Sequence, residues 1–139
     1  MAAFIADVLE LAGLFRQAAQ DIAGQAGQTQ TSWYALSVFS DGPWTVSQAA
    51  RRLGTTRQAL QRTTNELLST GLATAEPNPD HQTAPLIKLT PDGEQVLAQI
   101  SQAATTARRE WFADVDAPAL EGAHAEIQRL RDVLRDVTS

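Results

Sequence analysis

Arg57, Gln58, Gln61 and Arg62 stand close together in the chain and share a chemistry. An Arg guanidinium can bind guanine in a two-pronged fork, and a Gln amide can bind adenine the same way. On a helix, residues one, four and five positions apart fall on one side, so the four would form a single polar face. The same residue types are also good helix formers and suit an ordinary solvated face. The elements around them decide between the two readings.

Two helical patterns meet just before this cluster. Thr45 and Gln48 fit a capping box, in which each side chain satisfies a backbone amide of the other residue. Val46, Ala49, Ala50 and Leu53 follow at helical spacing and make one apolar face. Gly54 comes directly after, where a left-handed residue commonly closes a helix. The small pair Ala49 and Ala50 leaves room for a second helix to cross closely. That helix begins at Thr55 or Thr56, with Thr56 the preferred cap. Its buried stripe is Leu60, Thr63 or Thr64, Leu67 and Leu68. Arg57, Gln58, Gln61 and Arg62 lie on the other side, toward its start.

Gly71 ends the second helix, and residues 72–76 read as a short strand. Pro77-Asn78-Pro79-Asp80 is turn chemistry. Residues 86–89 form the return strand, with Leu86 and Lys88 on one face and Ile87 and Leu89 on the other. Pro85 removes one amide from the ladder, which suits an edge strand. Thr90 then caps a further helix that carries Pro91 in its first turn. Two crossed helices followed by a hairpin form a winged helix-turn-helix. In that arrangement the start of the second helix enters the DNA major groove.

The run TVSQAARRLGTTRQALQRTTNELLSTGL, followed by PNPDHQTAPLIKLTPDGEQVL, resembles the MarR family of winged-helix transcription regulators. The most specific matches are Thr56-Arg57-Gln58, Gly71-Leu72 and Leu89-Thr90-Pro91-Asp92-Gly93. The resemblance is strong over the middle half of the chain and positional at the flanks. It implies a homodimer, binding to inverted-repeat DNA and, in many members, release by a small ligand. It also implies an Arg after the wing's Asp to enter the minor groove. Here the wing reads Asp80-His81-Gln82-Thr83-Ala84-Pro85, with no Arg or Lys. Wing contacts would fall to His81 and Gln82, an imidazole and an amide, which donate hydrogen bonds but bring little charge at neutral pH.

The formal net charge of the 139-residue chain is -5, which on its face argues against a nucleic-acid partner. Its distribution answers the objection. Residues 44–90 carry five basic side chains against three acidic ones. Residues 1–43 carry one against four, and residues 91–139 carry five against nine. The basic excess therefore sits where a DNA-facing lobe needs it, and it is small enough to predict modest, salt-sensitive affinity. A chain this long predicts one domain with a real core. With no Cys there can be no disulfide, thiolate metal site or thiol redox switch. No basic-then-apolar leader and no bilayer-length apolar run is visible, so a cytoplasmic protein without a membrane partner is expected.

The ends of the chain read as helices with narrow apolar seams. Over residues 2–24, Phe4, Val8, Leu11, Phe15, Ala18 and Ile22 alternate spacings of four and three. Residues 21–31 then read as a loop or frayed end. Thr31 or Ser32 would cap a short helix through Ser40 that buries Trp33 or Tyr34 with Leu36 and Phe39. After the wing, a helix over 91–112 has Val96, Leu97, Ile100, Ala103, Ala104, Ala107 and Trp111 as its stripe. The last helix, about 118–137, carries Leu120, Ala123, Ile127, Leu130, Leu134 and Val137. Either seam alone fits packing within one subunit. Two of them flanking a compact lobe suggest pairing across a two-fold axis. A dimer would offer two reading helices to half-sites ~34 Å apart.

Other chemistry is weakly supported. His81 and His124 are far apart in sequence, and no carboxylate–His cluster suggests a metal. Asp114 and Asp116 suit a helix end better than a catalytic pair, and no nucleophile has a recognisable base, so no enzyme and no cofactor are expected. Phe15, Trp33, Tyr34 and Trp111 could line an effector crevice, with Arg16 or Arg108 for an anion. They also suit a plain core, so no effector residues are assigned.

The expected fold is therefore mainly α with a small β-hairpin wing. Residues 1–26 and 112–139 are dimerisation helices, 31–90 the winged helix-turn-helix lobe and 91–112 a connecting helix. The expected function is a homodimeric repressor of transcription that binds double-stranded DNA, with a small-molecule effector as a further partner. Arg57, Gln58, Gln61 and Arg62 would face the major groove. Thr56, Ser47 and Gln48 would meet phosphate, and His81 and Gln82 would extend from the wing. The alternatives are a winged-helix module that docks another protein, or a ligand sensor with little DNA affinity.

Overall fold

The computed structural model describes residues 1–81 and 83–138. Six helices and one hairpin follow in order: α1 (Ala2–Gln25), α2 (Gln30–Ser40), α3 (Val46–Leu53), α4 (Arg57–Ser69), β1 (Ala73–Glu76), β2 (Leu86–Leu89), α5 (Pro91–Trp111) and α6 (Ala117–Thr138). This is the mainly helical winged-helix arrangement expected from the sequence. The chain divides into two compact units, Met1–Ala104 and Thr105–Ser139.

In the first unit, local hydrogen bonding fixes the helix starts. Thr45 Oγ1 accepts the Gln48 amide at 3.1 Å, and Gln48 Oε1 accepts the Thr45 amide at 2.9 Å. The capping box read from the sequence is therefore present. Gly54 closes α3 in the left-handed region at φ 67°. Its amide donates to the Arg51 carbonyl, and the Thr55 amide donates to that of Ala50. Thr56 Oγ1 accepts the Ala59 amide at 3.1 Å and starts α4.

The structure corrects the reading of residues 21–31. α1 runs through Gln25, one residue past the expected helix, with its seam residue Ile22 buried beside Ala23, so the loop is shorter than residues 21–31. The cap of α2 is Thr29, not Thr31 or Ser32. Thr29 Oγ1 accepts the Ser32 amide at 3.1 Å, and Ser32 Oγ accepts the Thr29 amide at 2.9 Å. Ser32 thus serves as the third helical residue of a capping box.

The core of this unit gathers Leu36 and Phe39 of α2, Ala49 and Ala50 of α3, and Leu60, Thr64 and Leu67 of α4. Ile87 of β2 and Ile100 of α5 are fully covered among them. The Thr64 hydroxyl, buried with no exposure, donates to the Leu60 carbonyl at 2.7 Å, which satisfies it. Of the stripe expected on α4, Thr63 and Thr64 are both buried, while Leu68 is half-buried. On α2, Leu36 and Phe39 are buried as expected, Trp33 is half-buried and Tyr34 is exposed.

The wing is a two-stranded antiparallel ladder in which Ala73 pairs with Leu89 and Glu76 with Leu86. Ile87 and Leu89 face the core, and Lys88 faces outward to pair with Glu76. Trp44 adds a bridge to Ile87: its amide donates to the Ile87 carbonyl at 3.1 Å, and its carbonyl accepts the Ile87 amide at 2.8 Å. The sequence reading had not foreseen this third pairing.

Gly93 sets how α5 leaves the wing. Thr90 Oγ1 accepts the Gly93 amide at 3.1 Å and donates to the Gly71 carbonyl at 2.6 Å. A Cβ on Gly93 would fall 2.0 Å from the Leu72 carbonyl oxygen, so only glycine lets the helix approach this closely. Further along α5, Ile100 and Ala104 are buried.

The second unit holds the end of α5 and all of α6. The Leu120 amide donates to the Asp116 carbonyl at the start of α6. None of the residues of α6 is buried, and Leu120, Ile127, Leu130, Leu134 and Val137 are all exposed. No described helix is long and apolar enough to cross a membrane.

Candidate nucleic-acid interface

Burial of Leu60, Thr63, Thr64 and Leu67 fixes which side of α4 looks outward. Arg57, Gln58 and Arg62 are exposed on it. Gln61 is half-buried, and its Nε2 donates to Asn65 Oδ1 at 3.0 Å, one helical turn on. Of the four expected base-reading residues, three are therefore free of side-chain bonds among the described residues, and one is held by a neighbour.

Ser47 and Gln48, on the first turn of α3, are half-buried. The side-chain oxygen of Gln48 is committed to the capping box, which leaves its NH2 as the group able to donate outward. Thr56 is exposed, with its hydroxyl oxygen accepting the Ala59 amide.

The wing tip is organised by Asn78. Its Nδ2 donates to the Ala84 carbonyl at 3.0 Å, and its Oδ1 accepts the Asp80 amide at 3.0 Å. The His81 amide donates to the Asn78 carbonyl at 3.2 Å. His81 is exposed, with Nδ1 3.1 Å from Thr83 Oγ1. Gln82 lies outside the described residues.

These parts enclose a groove of about 590 Å³. Its lining includes Ser47, Gln48 and Arg51 of α3, Arg57 of α4, and Asp80 and His81 of the wing. A smaller recess of about 150 Å³ shares Ser47 and Arg57 and adds Gln61. The fold thus brings Ser47, Gln48, Arg57 and His81 around one concave surface. Gln58, Arg62 and Thr56 do not line it.

The basic side chains divide into two groups. Lys88 pairs with Glu76, and Arg52 lies 3.5 Å from Asp41. The Arg52 guanidinium also sits over the Trp44 ring, 4.9 Å from its centre. Among the described residues, no carboxylate reaches salt-bridge distance of Arg51, Arg57 or Arg62. Their charge is open to a partner carrying phosphates.

Sequence reasoning missed Arg51 as part of this surface. The signal was present, because Arg51 follows Ser47 by four positions and so shares its face of α3. It also missed Trp44, whose indole Nε1 is buried with no hydrogen-bond partner among the described residues. Among the described residues, no group of three or more His, Cys, Asp or Glu is placed to hold a metal ion.

The comparisons fit this geometry. Residues 26–82 match the model of the MarR family. A protein of Mycobacterium tuberculosis (strain H37Rv), itself uncharacterised, is 45% identical over 130 residues, which covers 94% of this chain and 91% of the relative. The crystal structure of a MarR family transcription regulator superposes with a TM-score of 0.93 at 20% identity, over 99% of this chain and 91% of that one. A mutant MarR from E. coli complexed with operator DNA superposes with a TM-score of 0.79 at 18% identity, over 91% and 92%. With its paired helices, hairpin wing and open arginines on α3 and α4, the chain belongs to the MarR family of transcription regulators.

Proposed function

We propose that this protein is a homodimeric repressor of transcription that reads duplex DNA through α4. The observation that carries the reading is the open polar face at the start of α4, where Arg57, Gln58 and Arg62 stand exposed. A helix of this kind reads base edges in the major groove, with Arg on guanine and Gln on adenine. Arg51, Ser47 and the Gln48 amide would meet phosphate from α3, with Thr56 close to the backbone at the start of α4. The operator-bound E. coli MarR, which shares the fold, lends support.

A second copy is the proposed occupant of the terminal helices. α1 leaves Phe4, Leu11 and Phe15 exposed, and α6 leaves its whole seam exposed. Apolar residues in such rows mark association surfaces in water-soluble chains. Residues 1–26 and 112–139 would then form the dimerisation part, residues 31–90 the reading lobe and residues 91–112 the link between them. The place of action would be the cytoplasm, and a small-molecule effector would release the DNA by binding the repressor.

Salt-titrated gel shifts with the DNA upstream of the protein's own gene test the proposal. Saturable binding that survives competitor DNA supports it. Absence of binding even at low salt would leave a protein-docking module or ligand sensor in its place. Light scattering tests the dimer, and a monomer mass independent of concentration would remove it.

A further inference from the structure

Thr29, Thr45, Thr56 and Thr90 each begin a helix. Among the described residues, the hydroxyls of the first three bond only within their own helix starts. Thr90 differs. Its Oγ1 accepts the Gly93 amide at 3.1 Å, as a cap does, and donates to the Gly71 carbonyl at 2.6 Å, 19 residues back along the chain. A hydroxyl has one proton to give, and here it goes to the residue that closes α4. The Thr90 amide donates to the neighbouring Leu72 carbonyl at 3.1 Å. Gly93 lies so near that carbonyl that a Cβ would fall 2.0 Å from its oxygen. We propose that Thr90 is a positioning residue for DNA reading, whose hydroxyl ties the end of α4 to the start of α5 and so sets the half-site spacing that a dimer accepts. This rests on the reading of α4 as a DNA-contacting helix and of the terminal helices as the dimer contact.

The joint has leverage. α5 runs from the first unit into the second, and among its described residues only Gly93, Ile100 and Ala104 are buried. Few side chains therefore hold its angle to the reading lobe. α4 has 13 residues, and its reading face lies at the end away from the joint. At a rise of ~1.5 Å per residue, that end is about 20 Å from Gly71. A tilt of about 10° at the joint moves it by about 3 Å, close to the ~3.4 Å spacing of successive phosphates along the duplex axis. A dimer must set two such ends on half-sites ~34 Å apart. A tilt in each copy changes the spacing that both can reach, and the Thr90 bonds resist that tilt.

The two bonds of the hydroxyl can be separated by substitution. In Thr90→Asp the carboxylate still accepts the Gly93 amide and suits the positive end of α5, but it has no proton for the Gly71 carbonyl. Thr90→Val keeps the shape and loses both bonds. Thr90→Ser keeps both. Thr29→Ala removes a cap of the same kind from α2, away from the joint.

The test uses the full chain and fluorescence anisotropy. The probe is the tightest duplex that the wild-type protein selects from a randomised pool, together with versions lengthened or shortened at the two-fold centre by one and two base pairs. A duplex carrying one half-site is the control. The wild-type protein should lose about tenfold or more in affinity for one added base pair, an effect of the size of a mismatch. In Thr90→Asp and Thr90→Val that ratio should fall below about threefold, with half-site affinity unchanged. Thr90→Ser and Thr29→Ala should keep the wild-type ratio.

A wild-type spacing profile in folded Thr90→Asp would overturn the proposal, whatever the fate of Thr90→Val. So would loss of the profile in Thr90→Ser or Thr29→Ala, or an equal loss on the half-site duplex, which would mean that the substitution disturbs α4 itself. Circular dichroism and thermal unfolding establish the folded fraction of each variant. Specific binding with a profile indifferent to Thr90 removes the joint and leaves the reading of α4 standing. A pool from which no duplex is enriched removes the reading of α4, and an enriched duplex without two-fold symmetry removes the dimer.

Discussion

The Arg52 guanidinium lies over the Trp44 ring, 4.9 Å from its centre, with an Asp41 oxygen 3.5 Å away. Arg51, the residue before it, turns into the groove. Two adjacent arginines on α3 therefore have different surroundings. Substituting Arg52 with Ala should cost stability, on the order of 0.5–1 kcal/mol for an exposed cation–π contact. Substituting Arg51 with Ala should leave stability nearly unchanged but weaken DNA binding and flatten its salt dependence by about one ion. Thermal unfolding and DNA titration of the two variants, side by side, check the split. Equal DNA affinities for both would undo it.

Arg57 and Arg62 stand exposed on α4 without an acidic partner among the described residues. Replacing either with Ala should weaken binding by ~1–3 kcal/mol if it makes a two-pronged contact to a base. The loss should be larger on the specific duplex than on a shuffled one. Equal losses on both would reassign the residue to phosphate.

Gly93 should tolerate no side chain. The added methyl of Gly93→Ala would fall 2.0 Å from the Leu72 carbonyl oxygen, a backbone atom. α5 would have to move away from the end of α4, at a cost of about 3 kcal/mol, the upper end for overpacking. Denaturant unfolding measures it. A change under about 1 kcal/mol would show that the helix start yields easily.

Thr56→Ala removes the hydroxyl oxygen that accepts the Ala59 amide. It should cost about 1 kcal/mol of stability, and Thr56→Ser should restore most of it. If the serine variant unfolds like the alanine variant, the hydroxyl does not cap α4 in solution.

On α6, Arg129 holds the Glu126 carboxyl below the usual carboxylate range, first by a hydrogen bond and then by its charge. A lowered carboxylate value stabilises the folded state above the unfolded value, and the gain is lost as pH falls through the folded one. Glu126→Gln should therefore melt slightly earlier than wild type at neutral pH, with the gap closing toward pH ~3. Both groups are solvent-exposed, so the gap should be small and should shrink with salt. A gap that widens on acidification would contradict the sign.

The sequence by itself determined the local devices. Thr45 with Gln48, Gly54, Thr56, Gly71 and Thr90 each act within a few residues of themselves, through hydrogen bonds that neighbours along the chain can complete. Apolar spacing likewise marked Leu60 and Leu67 as the inward side of α4, and so marked Arg57, Gln58 and Arg62 as outward. Where the local signals were ambiguous, the sequence misplaced a cap: α2 starts from Thr29, which forms a capping box with Ser32, and not from Thr31 or Ser32.

Only the tertiary structure decided what meets across long separations. Trp44 bridges Ile87, Gly93 lies against Leu72, and Arg51 and Arg57 share a groove with His81. These relations depend on how two backbones approach each other after the core has formed. Side-chain types and spacing cannot state them, because the distance between elements is set by everything packed between them.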